Sequence, residues 1–578
     1  MATTQPLLPL EQFYWREKQH PDRRYLIQPQ AGGQLEELTW GQVGEQARRA
    51  AAWLRQLDLA PGSNIAIISK NCAHWIIADL AIWMAGHISV PLYPNLTADS
   101  VRQILDHSGA VLAFIGKLDD WPAMAPGVPE GVRTVGLPLR PDGRFDHLWS
   151  DLQTCEPISD DPTFPAGRLA TIIYTSGTTG VPKGVMHSFA TFGFTGRQAV
   201  DLFKVGETDR GLSYLPLCHV AERIFVEIVS FYSGHTVFFA ESLETFVHDI
   251  RRARPTLFFA VPRIWTKFQH GIFERMPQRR LDRLMKLPLL GSMIRRKVLS
   301  GLGLDAVRFA FSGGAPVPET LLDWYYRLGL EIKEVYGMTE NCGYSHVGRP
   351  GEIRPGWIGR SNPGVEVRIS PEGEVQIRSQ SVMLGYYREP EMTAETITED
   401  GFLRTGDKGE QDAEDFLRLT GRIKEIFKTS KGKYVAPAPI ENRLAEHEHI
   451  ELVCVIGDGL PQPMALCVLS ETGKSQALNQ RTELEQLLGR WLDEVNARLD
   501  RHEQLKGMVI IQDAWAVENG FLTPTLKIRR SVVEHRYGAR FAEWGGHPRA
   551  ILWQTGEEAA YGDLAADTGA RTADSSAG

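Results

Sequence analysis

Two kinds of hydrophobic pattern follow one another along the first part of the chain. Segments with the helical period, at residues 43–57 and 100–106, alternate with short continuous apolar runs at residues 64–69 and 111–115. Continuous apolar runs are typical of strands buried on both faces, and their alternation with amphipathic helices is typical of parallel α/β layers. The pattern therefore predicts a large α/β region built from layered sheets and helices.

Two further segments of this region can be assigned from pattern alone. Residues 116–167 are rich in Pro, Gly and Asp, which predicts a loop-rich excursion before a buried strand at residues 170–175. The apolar run at residues 75–86 carries Asp79 and is too short to cross a bilayer. It predicts a buried helix instead.

The pattern changes near Gly421, where shorter elements begin. Apolar runs at residues 451–457 and 465–470 precede a helix in which Thr482 and Glu485 have capping-box spacing. One face of that helix is apolar and consists of Leu484, Leu487, Leu488, Trp491, Leu492, Val495 and Leu499. These features predict a small α+β domain.

The domain boundaries follow from these changes. We predict a large N-terminal domain over residues 1–421 and a small C-terminal domain over residues 422–545. Residues 546–578 are rich in Ala, Gly, Asp, Thr and Ser near their end, so they are predicted to be disordered.

Charge and cysteine content exclude several classes. The net charge of −8 opposes a nucleic-acid partner and favours solubility. The basic stretch at residues 279–296 is interpreted as a solvated helix face in preference to a contact with anionic lipid headgroups. The six cysteines form no C-x-x-C pair, and the N-terminus lacks the pattern of a signal peptide. We therefore expect a cytoplasmic protein.

The strongest local motif is Tyr-Thr-Ser-Gly-Thr-Thr-Gly-Val-Pro-Lys-Gly at residues 174–184. Glycines let backbone N–H groups converge on an anion, hydroxyls donate to phosphate oxygens, and Lys183 adds a positive charge. The lysine is not followed by Ser or Thr, so the motif is not a Walker A sequence. A surface turn explains a shorter hydroxyl loop equally well, but eleven residues are far more specific.

This motif resembles the phosphate loop of the adenylate-forming superfamily, which includes acyl-CoA synthetases, luciferases and peptide-synthetase adenylation domains. Five further motifs occur in the family's order, at residues 312–316, 336–340, 403–407, 421–425 and 520–527. The resemblance covers roughly residues 20–535, and it is greatest to bacterial long-chain fatty acid–CoA ligases. It implies an α/β fold with a large multi-lobed N-terminal region and a small mobile α+β C-terminal domain.

The resemblance also implies which residues contact ATP or CoA. Asp407 and Arg422 match the ribose-binding pair, Gly432 lies in the loop passed by pantetheine, and Lys424 is at the hinge of the mobile domain. The implied contacts are Thr175, Ser176, Gly177, Thr178, Thr179, Gly180, Lys183, Gly313, Gly314, Ala315, Glu334, Tyr336, Gly337, Met338, Thr339, Asp407, Arg422, Lys424, Gly432 and Lys527. Taken alone, Asp407 and the paired glycines are equally typical of turns.

The implied catalytic residues are Lys527, Glu340, Thr339 and His219. Lys527 supplies positive charge where an anionic carboxylate attacks an anionic phosphate. The resemblance assigns Mg²⁺ to Glu340 with help from Thr175, although a Glu at a helix start is more often a capping charge.

Three motifs resemble those of the long-chain group, at residues 215–223, 261–265 and 427–437. Residues 215–223 include His219, which faces the acid pocket in the family, and residues 261–265 include Trp265, which matches a tryptophan that gates the acyl tunnel. Core packing explains Trp265 equally well. The expected substrates are a long-chain fatty acid, ATP and CoA, with Mg²⁺ as cofactor, and transient contact with a membrane surface is expected for so apolar an acid.

Several alternatives remain open at this point. A carrier-protein thiol could replace CoA as acceptor, or the enzyme could stop at the adenylate. A luciferase-like oxidase and a catalytically inactive nucleotide- or lipid-binding protein are the more distant alternatives. Chain length and oligomeric state are not determined by the sequence.

Overall fold

The structure, a computed structural model, describes residues 8–554 apart from residues 177–181, 243, 289, 518 and 524–525. The chain divides into two compact units. The larger unit extends to Thr405 and includes residues 410–418, and the smaller unit contains residues 406–409 and the chain from Leu419 onward.

The described strands are numbered in chain order. They are β1 (Arg24–Pro29), β2 (Leu35–Thr39), β3 (Asn64–Ile68), β4 (Ile88–Leu92), β5 (Leu112–Ile115), β6 (Arg133–Gly136), β7 (His147–Leu148), β8 (Leu169–Ser176), β9 (Pro182–Ser188), β10 (Arg210–Ser213), β11 (Thr236–Phe239), β12 (Leu257–Ala260), β13 (Phe309–Gly313) and β14 (Ile332–Tyr336). They continue with β15 (His346–Val347), β16 (Gly359–Ser361), β17 (Val365–Ile369), β18 (Glu374–Ser379), β19 (Gly385–Tyr386), β20 (Leu403–Gln411), β21 (Phe416–Arg422), β22 (Phe427–Lys428), β23 (Tyr434–Val435), β24 (Ile450–Ile456), β25 (Met464–Leu469), β26 (Met508–Ile511) and β27 (Ile551–Trp553).

The described helices are numbered in the same way. They are α1 (Pro9–Gln19), α2 (Trp40–Gln56), α3 (Ala73–Met84), α4 (Ala98–Ser108), α5 (Trp121–Met124), α6 (Trp149–Leu152), α7 (Phe189–Phe203), α8 (Val220–Glu222), α9 (Val229–Ser233) and α10 (Phe246–Ala253). They continue with α11 (Pro262–Arg275), α12 (Gln278–Met285), α13 (Leu290–Leu302), α14 (Glu319–Leu328), α15 (Pro390–Thr396), α16 (Pro437–Leu444), α17 (Glu471–Asn496), α18 (Arg530–Tyr537) and α19 (Phe541–Gly546).

The larger unit contains two large sheets. One has the strand order β17-β18-β20-β21-β16-β15-β14-β13-β12-β10-β11-β1-β2, and the other has the order β19-β9-β8-β4-β3-β5-β6-β7. Strands β10, β12, β13 and β14 are parallel neighbours, as are β4, β3, β5 and β6. The predicted α/β layering is therefore confirmed.

Helix α3 shows why the apolar run at residues 75–86 is not a membrane segment. Every residue of α3 is buried in the core between the sheets. Within the described part of the chain, no helix is both long enough and apolar enough to span a bilayer.

Arg223 is the most heavily contacted charge in the core of the larger unit. Its side chain is completely buried, donates to Asp79 at 2.5 Å, and lies 3.2 Å from Glu227. The guanidinium also donates to two hydroxyls and lies 5.2–5.5 Å from the ring centroids of three aromatic residues, and these partners are Thr171, Ser89, Trp75, Trp83 and Phe192. Because a buried charge needs this many partners, Arg223 fixes how α3, β4, β8 and α7 pack.

The smaller unit is built on the sheet β24-β25-β26-β27 and the two-stranded sheet β22-β23. Helix α17 packs its apolar face on this sheet through Leu484, Leu488, Leu492 and Val495. The apolar face predicted for this helix is thus observed.

Two predictions about this region need correction. The segment α17 consists of two helices joined across a kink at Gln480, and the first of them begins at Glu471, capped by Ser470. The predicted start at Thr482 lies two residues after this kink, so the prediction missed the first helix. Glu485 instead accepts a hydrogen bond from Trp553 at 2.7 Å. That tryptophan belongs to β27, which extends the ordered chain beyond the boundary drawn at residue 545, whereas residues 555–578 lie outside the described residues.

Candidate active site

Four of the motifs leave the same edge of the large sheet. The parallel strands β10, β12, β13 and β14 are followed, in that order, by the segments that carry His219, Trp265, Gly314 and Glu340. The carboxyl edge of parallel strands is where open α/β sheets bind ligands. Residues separated by more than a hundred positions in the sequence therefore share one edge in the fold.

The residues predicted to contact adenine lie at the ends of β13 and β14, on this edge of the sheet. A Cβ atom on Gly313 would lie 2.7 Å from the carbonyl oxygen of Val335, so the strand pairing itself requires glycine here. Gly314 has a φ of +82° and, with Ala315, is exposed. Gly314 and Ala315 thus present open backbone beside buried Tyr336, as a flat ring would require.

Glu334 lies on β14, opposite Ser312 of β13 in the strand register. Its Oε1 accepts a long hydrogen bond of 3.4 Å from the backbone N–H of Val317. Burial raises the pKa of Glu334 to about 7, with Glu319 adding to the increase. Near neutral pH this carboxyl group can therefore either accept or donate a hydrogen bond at the adenine side.

Glu340 is held by Tyr386, a residue that the motifs did not single out. The Tyr386 hydroxyl donates to Glu340 Oε1 at 2.8 Å, and the backbone N–H of Met383 donates to the Glu340 carbonyl at 2.8 Å. Lys183 Nζ lies 5.5 Å from the centroid of the Tyr386 ring. One aromatic side chain thus contacts both the phosphate-loop lysine and the predicted metal carboxylate.

Thr339 is positioned by a buried histidine. His187 of β9 donates from Nε2 to the Thr339 carbonyl at 2.8 Å, and its Nδ1 lies 3.3 Å from Cys342 Sγ. Burial lowers the pKa of His187 to about 4, so the ring is neutral near pH 7. The neutral ring donates with one nitrogen and accepts with the other, and this joins β9 to the Tyr-Gly motif.

The phosphate loop is described only at its two ends. Strands β8 and β9 pair antiparallel up to Thr175 opposite Lys183 and Ser176 opposite Pro182. Gly177, Thr178, Thr179 and Gly180 lie outside the described residues, and Ser176 is described as backbone alone. The pairing brings Thr175 and Lys183 level with each other at the end of the sheet.

The loop that carries His219 is held by two buried side chains. Asn71 donates from Nδ2 to the Leu215 carbonyl at 2.5 Å and accepts from the Leu217 N–H at 2.9 Å. Glu222 accepts from the Tyr214 N–H at 2.8 Å, and burial raises the pKa of Glu222 to about 8. The backbone groups of Tyr214, Leu215 and Leu217 are therefore fixed by these two buried side chains.

His219 itself caps the short helix α8. Its Nδ1 accepts from the Ala221 N–H at 3.2 Å, which places the ring proton on Nε2. The neighbouring Cys218 is buried, and burial raises the pKa of its thiol strongly. Cys218 is thus a packed thiol, and the histidine does not act on it.

Trp265 is a core residue in this structure. Its side chain is fully buried, its indole N–H donates to the Phe311 carbonyl at 3.3 Å, and its ring contacts Phe258, Phe268 and Tyr325 edge-on. The hydroxyl of Tyr325 donates to the Trp265 carbonyl at 2.7 Å. Rotation of the indole would break these contacts, so the gating role stays a prediction.

The smaller unit contains the predicted ribose pair. Asp407 is buried, and its Oδ1 accepts from Arg422 Nε at 3.0 Å. The two residues are brought together although the chain between them passes through the larger unit. A fixed carboxylate beside a forked donor suits a vicinal diol.

Lys424 and Gly432 occupy exposed turns of the same unit. Lys424 lies in a short 3₁₀ turn, Ile423–Glu425. Gly432 has a φ of +77° in the turn between β22 and β23, where the exposed Lys428, Lys431 and Lys433 also lie. This turn is a basic surface, as an anionic ligand would require.

The backbone of Lys527 is held by two hydrogen bonds to Thr523. The Lys527 N–H donates to the Thr523 hydroxyl at 3.1 Å, and the Thr523 N–H donates to the Lys527 carbonyl at 2.8 Å. Leu526 has a φ of +61°, a strained value for a leucine. The backbone around Lys527 is therefore fixed, whereas its side chain is exposed.

Sequence analysis missed Tyr386, His187, Asn71 and Glu222. His187 and Glu222 are polar residues in mainly apolar segments, which is the available signal for a buried hydrogen-bonding role, whereas Asn71 and Tyr386 lie among polar residues and carry no such signal. The signal gives no partner, because the partners are distant in the chain.

Comparisons with known proteins identify the class. The model of the family described as AMP-binding enzyme matches residues 13–387, and that of the AMP-binding enzyme C-terminal domain matches residues 424–543. The chain belongs to the AMP-binding enzyme family and is an adenylate-forming ligase of that superfamily.

Relatives cover most of the chain. The long-chain-fatty-acid–CoA ligase FadD15 of Mycobacterium bovis is 30% identical over an alignment of 573 residues that covers 90% of this chain and 95% of the relative. The peroxisomal long chain acyl-CoA synthetase 6 of Arabidopsis thaliana is 29% identical over an alignment of 562 residues. That alignment covers 86% of this chain and 80% of the relative.

Solved structures confirm the fold class. The adenylation domain of a carboxylate reductase from Mycobacterium chelonae superposes with a TM-score of 0.78 at 22% identity, covering 94% of this chain and 92% of that domain. The A domain of a carboxylic acid reductase from Segniliparus rugosus, solved with AMP and a carboxylic acid, gives 0.77 at 23% identity, with coverage of 94% and 95%. At these identities the likeness concerns the fold alone.

Replacement of Tyr386 by Phe is expected to weaken Mg²⁺-dependent binding of a non-hydrolysable ATP analogue roughly five- to tenfold, because one hydrogen bond to a charged group is lost. Calorimetric titration with Mg²⁺ and again with EDTA measures this. Tyr387→Phe is the matched control, since the Tyr387 hydroxyl instead accepts from Asn64 at 3.2 Å. Equal affinity in the two variants would contradict the role of Tyr386.

Replacement of Glu222 by Gln is expected to change how stability depends on pH. The pKa of Glu222 is raised in the folded state, so the folded protein binds the extra proton and ionisation destabilises it as pH rises towards about 8. Between about pH 5 and about pH 9, the variant should therefore gain about 4 kcal/mol relative to the parent. Urea unfolding at both pH values tests this, and a constant difference between the two proteins would be evidence against it.

Proposed function

We propose that the protein activates a long-chain fatty acid with ATP, forming acyl-AMP and releasing pyrophosphate, and then transfers the acyl group to CoA and releases AMP. The observation that carries the proposal is the single sheet edge from which the His219, Gly314 and Glu340 segments leave. The names of relatives that span 90% of the chain support the choice of acid and acceptor.

In the first step the fatty-acid carboxylate attacks the α-phosphorus, and the pyrophosphate leaves with the electron pair of the broken P–O bond. Both reactants are anions, so the barrier falls when positive groups lie where charge accumulates. Lys183 is assigned to the departing phosphates and Lys527 to the attacking oxygen and the α-phosphate. Thr339, positioned by His187, donates to the α-phosphate.

The residues present fit a magnesium ion. Among the described residues there is no cluster of three or more His, Cys, Asp or Glu side chains that could hold a metal. Mg²⁺ is commonly held by one or two protein carboxylates while substrate phosphates and waters supply the other oxygens, and Glu340 with Thr175 is such a set. When bound, the ion would neutralise phosphate charge during the displacement.

In the second step the CoA thiol attacks the acyl carbonyl, and AMP leaves. The exposed turn at Gly432 is assigned to the pantetheine arm, and the adjacent Lys428, Lys431 and Lys433 to CoA phosphates. Lys424 is assigned to the hinge of the smaller domain, residues 422–545. Its exposed position in a short turn suits a residue that absorbs a change in φ and ψ.

A long apolar chain is the preferred acid because the acid-side segments lead into apolar side chains. Trp265 belongs to a hydrophobic cluster that includes Phe258, Phe268 and Leu281. Phe225 contacts the ring of Phe311 edge-on and that of Phe259 at a tilt. An acyl chain entering there would replace side-chain contacts with its own. We assign Trp265 to the gate of this route. We also propose a cytoplasmic location with transient contact to a membrane surface, which a sparingly soluble acid requires.

The test is a release assay across saturated acids from acetate to stearate, with pyrophosphate and AMP measured in the presence and absence of CoA. The proposal expects CoA-dependent AMP release that rises with chain length. Pyrophosphate release without transfer to CoA would instead indicate a carrier-protein acceptor or an enzyme that stops at the adenylate. AMP binding without any pyrophosphate release would overturn the ligase assignment.

Replacement of Lys527 by Ala is expected to slow adenylation by roughly 10²- to 10³-fold, the scale of removing one preorganised stabilising group. Pyrophosphate exchange measures this half-reaction alone. Because Lys527 is exposed, the unfolding midpoint should not change, and Lys506→Ala in the same unit serves as the control. An unchanged exchange rate would remove Lys527 from the catalytic residues.

A further inference from the structure

Helices α12 and α13 form a helical pair with apolar side chains at its turn. Leu287 is 47% exposed, Leu290 is 43% exposed and Met293 is 68% exposed. Large apolar side chains that are exposed together are uncommon on soluble proteins and mark a surface that contacts something else. We call residues 278–288 and 290–302 the basic hairpin, for the reason given next.

The charge of the basic hairpin is opposite to that of the protein. It contains seven basic side chains and one acidic side chain, whereas the whole chain has a net charge of −8. The acidic residue, Asp282, lies 3.8 Å from Arg327 of α14 and so faces a cation outside the hairpin. The exposed basic residues are Arg279, Arg280, Arg283, Lys286, Arg296 and Lys297.

Helical spacing places these side chains on the outer faces of the two helices. On α13, Leu290, Met293 and Lys297 follow one another at intervals of three and four, so they share a face. The adjoining stripe of α13 carries the partly buried Ile294 and Val298, which pack on the core. Each helix is thus amphipathic, with a buried apolar side and an exposed basic side. The exposed apolar residues Leu287, Leu290 and Met293 lie near the turn between the two helices.

The turn that exposes the apolar residues is fixed by close packing. A Cβ atom on Gly291 would lie 2.2 Å from the carbonyl oxygen of Met285, so the start of α13 lies against the end of α12. Met285 and Leu281 are buried on the inner side of α12. The exposed leucines cannot fold back into the core without separating the two helices.

The inner side of the basic hairpin packs into the hydrophobic cluster that contains Trp265, the residue assigned above to the gate of the acyl route. Leu281 and Met285 belong to the same hydrophobic cluster as Trp265 and Phe268. An apolar acid that left a bilayer at the hairpin would meet this cluster directly. The hairpin is therefore well placed to receive the substrate proposed above.

We propose that the basic hairpin is a docking surface for an anionic lipid bilayer. The arginines and lysines bind acidic headgroups, and Leu287, Leu290 and Met293 enter the boundary between headgroups and acyl chains. A helix face that is only solvated does not need exposed apolar residues. The exposure of Leu287, Leu290 and Met293 therefore favours docking over the solvated face that charge alone indicated. The docking itself is independent of catalysis, but its role in delivering the acid rests on the proposed function.

Vesicle co-sedimentation of the full chain, without nucleotide, tests the docking. The protein should bind vesicles of phosphatidylcholine mixed with phosphatidylglycerol more tightly than vesicles of phosphatidylcholine alone, and the difference should fall at high ionic strength. The double variant Arg283→Glu with Lys286→Glu should bind the anionic vesicles at least about tenfold more weakly. Leu290→Ser with Met293→Ser should weaken binding while keeping its dependence on salt.

A charge-matched control separates docking from net charge. Arg490→Glu with Arg498→Glu makes the same change in net charge on exposed positions of the smaller unit and should bind vesicles like the parent. All variants should unfold at the parent's midpoint, because the replaced side chains are exposed. Equal vesicle binding by the hairpin variants and the parent, or no preference for anionic vesicles, would overturn the proposal.

An activity measurement distinguishes this proposal from the ligase assignment. With a long-chain acid supplied from anionic vesicles, the charge variant should lose several-fold in AMP release, whereas with the same acid in detergent micelles it should match the parent. If every protein is inactive but the parent still binds vesicles, the ligase assignment fails and the docking surface stands. If the charge variant matches the parent on both supplies, the delivery role is excluded.

Discussion

The buried guanidinium of Arg223 is the constraint on which the larger unit depends. It is taken entirely out of water, so its positive charge must be matched by Asp79 and Glu227 and its remaining donors by hydroxyls of two strands. Glu227 lies one turn further along the same helical segment, whereas Asp79, Ser89 and Thr171 come from a separate helix and two strands. These three partners meet Arg223 only when the helix layer has the correct position on the sheet. Arg223 is also the last residue of the motif that carries His219, so the same charge that orders the core fixes the end of that segment.

The site beyond this core is organised by pairs of contacts rather than by single residues. Tyr386 contacts both Lys183 and Glu340, and His187 contacts both Thr339 and Cys342. Each pair joins a strand of the eight-stranded sheet to the segment that follows β14 of the other sheet. Lys183 and Glu340, the residues proposed for phosphate and for magnesium, are thus coupled, and a change in the packing of the two sheets would move both together.

Prediction from the sequence succeeded where the signal was local. The β8 strand, the buried helix α3 and the apolar face of α17 were recovered because periodicity and burial act over a few residues. It missed the helix that precedes the kink at Gln480, two residues before Thr482, and it missed β27, where three apolar residues are too few to predict a strand. The carboxylate of Glu485 binds the tryptophan of β27, 68 positions away, and local spacing does not encode such a contact.

The sequence by itself determined the family and the chemical type of each site residue, because the motifs are short and every member of a motif is a neighbour in the chain. Only the tertiary structure decided what orients them. Tyr386 on Glu340, Asn71 on the acid loop and Asp407 on Arg422 are contacts between residues that are distant in sequence or belong to different elements, and no local pattern encodes them. The basic hairpin shows the same division: its charges are visible in the sequence, but the exposure of Leu290 and Met293 follows from how Gly291 packs against Met285.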